Sequence, residues 1–153
     1  MSSNDGPIGA PVSISARSIA LGAIVGVVAY LFGYLLSGVI AAGQASQSLA
    51  ETVPAWKTVG WYFYNGHFVD LTNTVRLGSV RGSGAGSLIE GSDSSTLQLL
   101  YAVPPIVVAL GGAALSRWLD GGVDVTSGAV RGSLVVVGYL PLAAIGAVVT
   151  AHT

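Results

Sequence analysis

The residues best equipped for chemistry fall in one stretch, residues 55–72, which holds Trp56, Lys57, Trp61, Tyr64, Asn65, His67 and Asp70. His67 and Asp70 are three apart, a spacing that puts two side chains on one face of a helix. An imidazole and a carboxylate so placed could share a metal ion or pass a proton between them. A metal centre needs three or four ligands, however, and the only other histidine, His152, is at the far end of the chain. His67 is therefore expected to bond its neighbours where aromatic rings meet water. No His-Glu-x-x-His and no Gly-x-Ser-x-Gly occurs, and cysteine is absent, so neither thiolate ligands nor disulfides are available. The run Gly82-Ser83-Gly84-Ala85-Gly86 has the look of a phosphate loop but lacks a Lys-Ser/Thr ending, and a flexible turn is expected there. Asp120 and Asp124 are too few for a calcium loop. The chain is expected to have no catalytic residues, no metal and no cofactor.

The same stretch is rich in rings. Six of its eighteen residues are aromatic, Pro54 precedes it and Gly66 interrupts it. Trp and Tyr prefer the headgroup zone, where an apolar body and a polar tip are both satisfied. Three ionisable groups make the stretch a poor hydrocarbon span. An interfacial or re-entrant helix over residues 55–72 is expected, with a true span as the alternative.

Three apolar blocks must position this stretch: residues 18–42, 97–119 and 129–151. At ~1.5 Å per residue the first reaches ~37 Å, enough for a hydrocarbon core of ~30 Å. Charged residues make up 8% of the chain, 52% are hydrophobic, and the mean hydropathy is +0.71. Soluble domains carry roughly 25% charged residues, so the composition points to lipid. The net charge of −1 gives no basic field for nucleic acid. The expected fold is an all-α membrane protein with three transmembrane helices and one aromatic interfacial or re-entrant helix. A four-helix transmembrane bundle is the alternative. Residues 1–16 are expected as a disordered tail and 17–153 as a single membrane domain. Between the first two spans, residues 73–96 form an outward Gly/Ser-rich loop, in which Val75 to Val80 could make a short hairpin with Leu88-Ile89 as the return strand. A cleaved signal peptide is disfavoured, because a signal core is usually ~7–15 residues.

Within the first block, Gly22, Gly26, Ala29, Gly33 and Ser37 follow at steps of four, three, four and four, on one helical face. Packing against helices of the same chain is the expected use, and a dimerisation seam is the alternative. Tyr30 and Tyr34 lie too deep for interface anchors and are expected to hydrogen-bond inside the bundle. Pro104, Pro105 and Pro141 are expected to kink their helices.

Charges beside the helix ends set the orientation. With three spans and the N-terminus inside, Arg17, Arg117 and Arg131 all fall on the cytoplasmic side. The chain is then a multi-pass protein of the cell membrane with its C-terminus outside.

The pattern Trp56-Lys57-x-Val59-Gly60-Trp61-x-Phe63-Tyr64-Asn65-x-His67-Phe68, followed by Leu100-Tyr101-x-Val103-Pro104-Pro105 and Gly138-Tyr139-Leu140-Pro141, resembles a family of small uncharacterised integral membrane proteins from salt-loving archaea. The resemblance covers most of residues 17–150. It implies a membrane setting and no mechanism. A non-enzymatic structural or accessory subunit is the expected function, with the lipid bilayer, other copies of the chain or a larger membrane complex as partners. The alternative is a small transport or permeation component, with a path near the kinked helices.

Overall fold

The computed structural model describes residues 14–43, 53–120 and 125–151. The expected tail lies outside these residues except for its last three, and so do Asp124 and His152. Helix α1 runs Ala16–Ala41, and its first turn is capped by Ser15, whose Oγ accepts from the Ser18 amide at 3.1 Å. Helix α2 covers Ala55–Gly66. Strands β1 (Leu71–Leu77) and β2 (Val80–Gly86) pair antiparallel, with Thr74 opposite Ser83 and Leu77 opposite Val80. Gly78 and Ser79 turn the hairpin, and Gly78 takes a φ of +63° at the position where a type II′ turn needs glycine.

Two further long helices follow, each interrupted by a 3₁₀ turn. Helix α3 (Ser95–Gln98) passes through Leu99–Ala102 into α4 (Val103–Asp120). Pro104 and Pro105 are the second and third residues of α4, where a missing N–H costs a helix least. Ahead of them the backbone tightens, and the Val103 amide serves the Leu100 carbonyl that Pro104 cannot reach. Helix α5 (Val125–Gly132) passes through Ser133–Val135 into α6 (Val136–Ala151), which contains Pro141.

Among the described residues three helices are long and apolar enough to cross a membrane: Ala16–Ala41, Ser95–Leu119 and Gly128–Ala151. Only 33%, 22% and 28% of their most apolar windows are buried inside the protein, so most of this apolar surface faces outward. On α1 the division is sharp. Ile24, Val28, Leu31, Leu35 and Val39 are exposed, while Gly22, Gly26, Ala29, Gly33 and Ser37 on the opposite face are buried. Gly22 meets Leu134, Gly26 meets Val135 and Tyr139, and Gly138 meets the backbone of Ala23. These pairs advance in the same direction, so α1 and α6 run parallel. Gly33 meets Val103 and Val107, while Gly111 meets Val25 and Ala29, so α4 runs antiparallel to α1. The small-residue face of α1 is thus occupied by helices of its own chain.

Helix α2 lies across one end of this bundle. Its Val59 touches Gly38, Gly60 touches Thr150 and Gly66 touches Leu100, so it spans the level where α1 and α6 end and α3 begins. Twelve residues make only ~18 Å of helix, too short for a ~30 Å core, which overturns the four-span alternative.

Two expectations about the segment after α2 need correction. The helix stops at Gly66 rather than residue 72. Phe68 takes a φ of 60°, its amide bonds the Asn65 carbonyl at 2.9 Å, and the Val69 amide bonds the Tyr64 carbonyl at 3.0 Å. That is a Schellman stop with phenylalanine in the place glycine usually holds. The return strand is also not Leu88-Ile89. The Gly-rich run expected as a turn is itself strand β2, and Ile89 is buried in the core.

Candidate functional site

The inward face of α2 meets α1 and α6 in a cluster of rings: Tyr30, Tyr34, Phe63, Tyr64, His67 and Tyr139. Phe63 sits at its centre, with centroids 5.2 Å from Tyr30, 5.8 Å from Tyr34 and 4.4 Å from His67, all edge-on. Edge-to-face pairs set positive ring edges against negative faces, each worth ~0.5–1.5 kcal/mol beyond burial. Glycine lets the rings in. A Cβ on Gly146 would overlap the hydroxyls of both Tyr30 and Tyr64, and one on Gly33 would crowd Phe63 at 3.3 Å.

The polar tips are matched in a fixed order. Tyr64 donates to the Ala143 carbonyl at 2.9 Å, so the 2.9 Å bond between the Tyr30 and Tyr64 hydroxyls must be donated by Tyr30. Tyr34 donates to the carbonyl of Trp56, and the Trp61 indole donates to that of Thr150 at 3.0 Å. His67 Nδ1 is 2.7 Å from the Phe63 carbonyl, which can only accept, so Nδ1 carries the proton. His67 Nε2, 2.7 Å from the Tyr139 hydroxyl, is then the acceptor of a neutral ring. Burial pushes the His67 pKa down, opposed in part by the Phe63 carbonyl, and burial followed by the Tyr30 bond pushes that of Tyr64 up. Tyr64 and His67 are thereby held uncharged.

Asn65, 1% exposed, ties the hairpin to the cap. Its Nδ2 donates to the Val69 carbonyl at 2.7 Å and its Oδ1 accepts from the Leu88 amide at 2.6 Å. One amide thus holds both feet of the β1–β2 segment.

Of the residues named from sequence, Trp61, Tyr64, Asn65 and His67 are bonded into this cap. Trp56 is half exposed, with the Lys57 ammonium 5.6 Å from its ring. Asp70 is exposed and beyond the end of α2, so His67 and Asp70 share no helical face and the drawn relay between them fails. Tyr139, the actual partner of His67, was missed. The one available signal was a tyrosine deep in an apolar block, where a hydroxyl must find a partner. Among the described residues no group of three His, Cys, Asp or Glu could hold a metal, and no buried side-chain N or O is without a hydrogen bond.

These features define a small helical protein with three helices able to cross a membrane and a short aromatic helix closing one end of the bundle. The family described as "Family of unknown function (DUF7978)" matches residues 1–153, and the chain belongs to that family. No curated protein and no solved structure matches it.

Proposed function

We propose that the chain is a three-span integral membrane protein acting as a non-enzymatic structural or accessory subunit of a membrane assembly. Its N-terminus is cytoplasmic and α2 caps the bundle at the outer surface. The resemblance of the aromatic motif to membrane proteins of salt-loving archaea belongs to the same reading. One observation carries it: the deepest polar groups are matched one to one within the chain, which supports a cluster built to hold helices together.

The distribution of side chains supports the orientation. Arg17 at the start of α1, Arg117 near the end of α4 and Arg131 in α5 belong to the end of the bundle opposite α2. Trp118 is 72% exposed at that end, while Trp56 and the stacked pair Phe68–Tyr101, with centroids 4.9 Å apart, lie at the other. Tryptophan or tyrosine thus stands at both ends of the spans. The arginines set directly beside helix ends all fall at the Trp118 end, whereas Arg76 and Arg81 lie in the hairpin, the pattern of a bilayer slab with a cytoplasmic face.

The test uses the absence of native cysteine. Single cysteines at Ser83 and Ser127 are probed with an impermeant thiol reagent on intact cells, and the purified protein is assayed for partners and for solute flux in vesicles. Labelling at Ser83 alone, a co-purifying membrane partner and no flux are expected. Labelling at Ser127 alone overturns the orientation, and solute flux overturns the accessory role.

A further inference from the structure

Away from the capped end, side chains of α1 and α4 border an outward-facing groove of about 380 Å³ that presents no polar surface. Its walls are Ile24 and Phe32 on one side and Val107 and Trp118 on the other, with Gly111 and Ala114 forming a low floor. The volume falls within the usual ~300–1,000 Å³ of small-ligand sites. Val107 to Trp118 covers ~16 Å of helix, close to the ~15 Å of hydrocarbon in one leaflet. The groove closes at neither side, so its occupant must come from the surrounding phase.

What lies at its mouth distinguishes it from ordinary lipid-facing surface. Arg17 precedes Ile24 by seven residues and Val28 by eleven, and Arg117 follows Leu110 by seven and Ala114 by three. These spacings put both cations on the groove's own helical stripes. Because Gly111 packs between Val25 and Ala29, antiparallel pairing brings Arg17 and Arg117 to within about one helical turn of the same level. Both are exposed, beside the 72% exposed Trp118. The groove is thus apolar along its length, with an indole and two guanidiniums at one end.

We propose that this groove binds one anionic phospholipid of the arginine-side leaflet, its acyl chain lying between α1 and α4 and its phosphate held by Arg17 and Arg117. The inference rests on the membrane reading above. Guanidinium groups match phosphate oxygens in geometry and in charge. An apolar groove with two cations at its mouth suits a lipid better than a partner helix, which would need a matching acidic end.

The experiment uses the full chain in bilayer vesicles, with Trp56→Phe and Trp61→Phe leaving Trp118 as the only indole. Quenching of Trp118 is read with brominated phosphatidylglycerol diluted into phosphatidylcholine, and with the labels exchanged. Phosphatidylglycerol is expected to be preferred by about fivefold or more, since one arginine near a phosphate is worth ~1 kcal/mol. Arg17→Gln with Arg117→Gln should bring the preference to near one, and Ala114→Leu, which fills the groove and leaves both charges, should do the same. Equal quenching by the two lipids overturns the site, as does a preference that survives Ala114→Leu, which would make it surface charge alone. Quenching by neither lipid, in protein that resists alkaline extraction, means that protein covers the groove and overturns the inference only. Chain released by alkaline extraction overturns the membrane reading itself.

Discussion

The Tyr139 hydroxyl donates to Nε2 of His67 across 2.7 Å, joining α6 to the end of α2 over 72 positions of sequence. The direction is forced, because the proton on Nδ1 is already given to Phe63. The bond therefore exists in this form only while the ring is neutral. A second proton would reverse it, with Nε2–H donating to the Tyr139 oxygen and the Tyr139 proton displaced from its acceptor.

A pH dependence follows. Burial holds the His67 pKa below its ordinary value of about 6.5, so the unfolded chain takes up the proton first as pH falls. The stability that neutral His67 contributes is complete above ~6.5 and is lost as pH drops from there toward the lowered folded value. Thermal unfolding in micelles between about pH 7.5 and 5 should show a falling midpoint for the wild type. The profile of His67→Gln should be flatter. Parallel profiles for the two proteins would show that His67 does not titrate against folding.

Tyr64 and Tyr30 share one hydrogen bond but should not be equally costly to lose. Tyr64→Phe removes both the acceptor of the Tyr30 proton and the donor to Ala143. Leaving the Tyr30 donor buried and unmatched costs ~1–3 kcal/mol. Tyr30→Phe leaves the Tyr64–Ala143 bond intact and removes a bond worth only ~0.5–1.5 kcal/mol. Equilibrium unfolding of the two variants should therefore rank Tyr64→Phe below Tyr30→Phe. The reverse order would mean that the assigned donor sequence is wrong.

The three long helices were legible because continuous apolar blocks leave a chain few alternatives. The stripe from Gly22 to Ser37 could be read as a packing face, but which helix fills it is set by tertiary register. Helix α2 was legible as a ring-rich segment, while its end was not. A Schellman stop is normally signalled by glycine at the left-handed position, and here that position is Phe68, stacked on Tyr101. Strand β2 was misread for a related reason. Gly82, Gly84 and Gly86 have low strand propensity, and their conformation comes from pairing with Val75, Asn73 and Leu71. Asp70 looked like a partner of His67 only on the assumption of a continuous helix.

Close approach of α1 and α6 gives a sharp contrast among glycines. A Cβ on Gly138 would overlap the Ala23 carbonyl oxygen, a backbone atom that cannot swing away. Gly138→Ala must push the two helices apart, and overpacking of this kind costs ~1–3 kcal/mol or more. Gly43 and Gly82 have open space around them, so alanine at either should change stability by less than ~0.5 kcal/mol. Thermal midpoints of the three variants in one detergent would check this. A Gly138→Ala protein as stable as the wild type would mean that α1 and α6 do not touch there.

Asn65 offers a way to separate the hairpin from the cap. Asn65→Ala takes the side-chain partner from the Val69 carbonyl and the Leu88 amide, losing two hydrogen bonds worth ~0.5–1.5 kcal/mol each. Asn65→Asp keeps an oxygen for the Leu88 amide and loses the donor to Val69, while adding a charge at a site 1% exposed. Both changes act where residues 69 and 88 leave the cap, so they should release the β1–β2 segment before they disturb the ring cluster. Amide hydrogen exchange should then quicken across residues 69–89 in both variants, with the Leu88 amide more protected in Asn65→Asp than in Asn65→Ala. Protection in α1, α4 and α6 should hold. Uniform loss of protection through all the helices would show instead that Asn65 supports the bundle as a whole, and that hairpin and cap unfold as one unit.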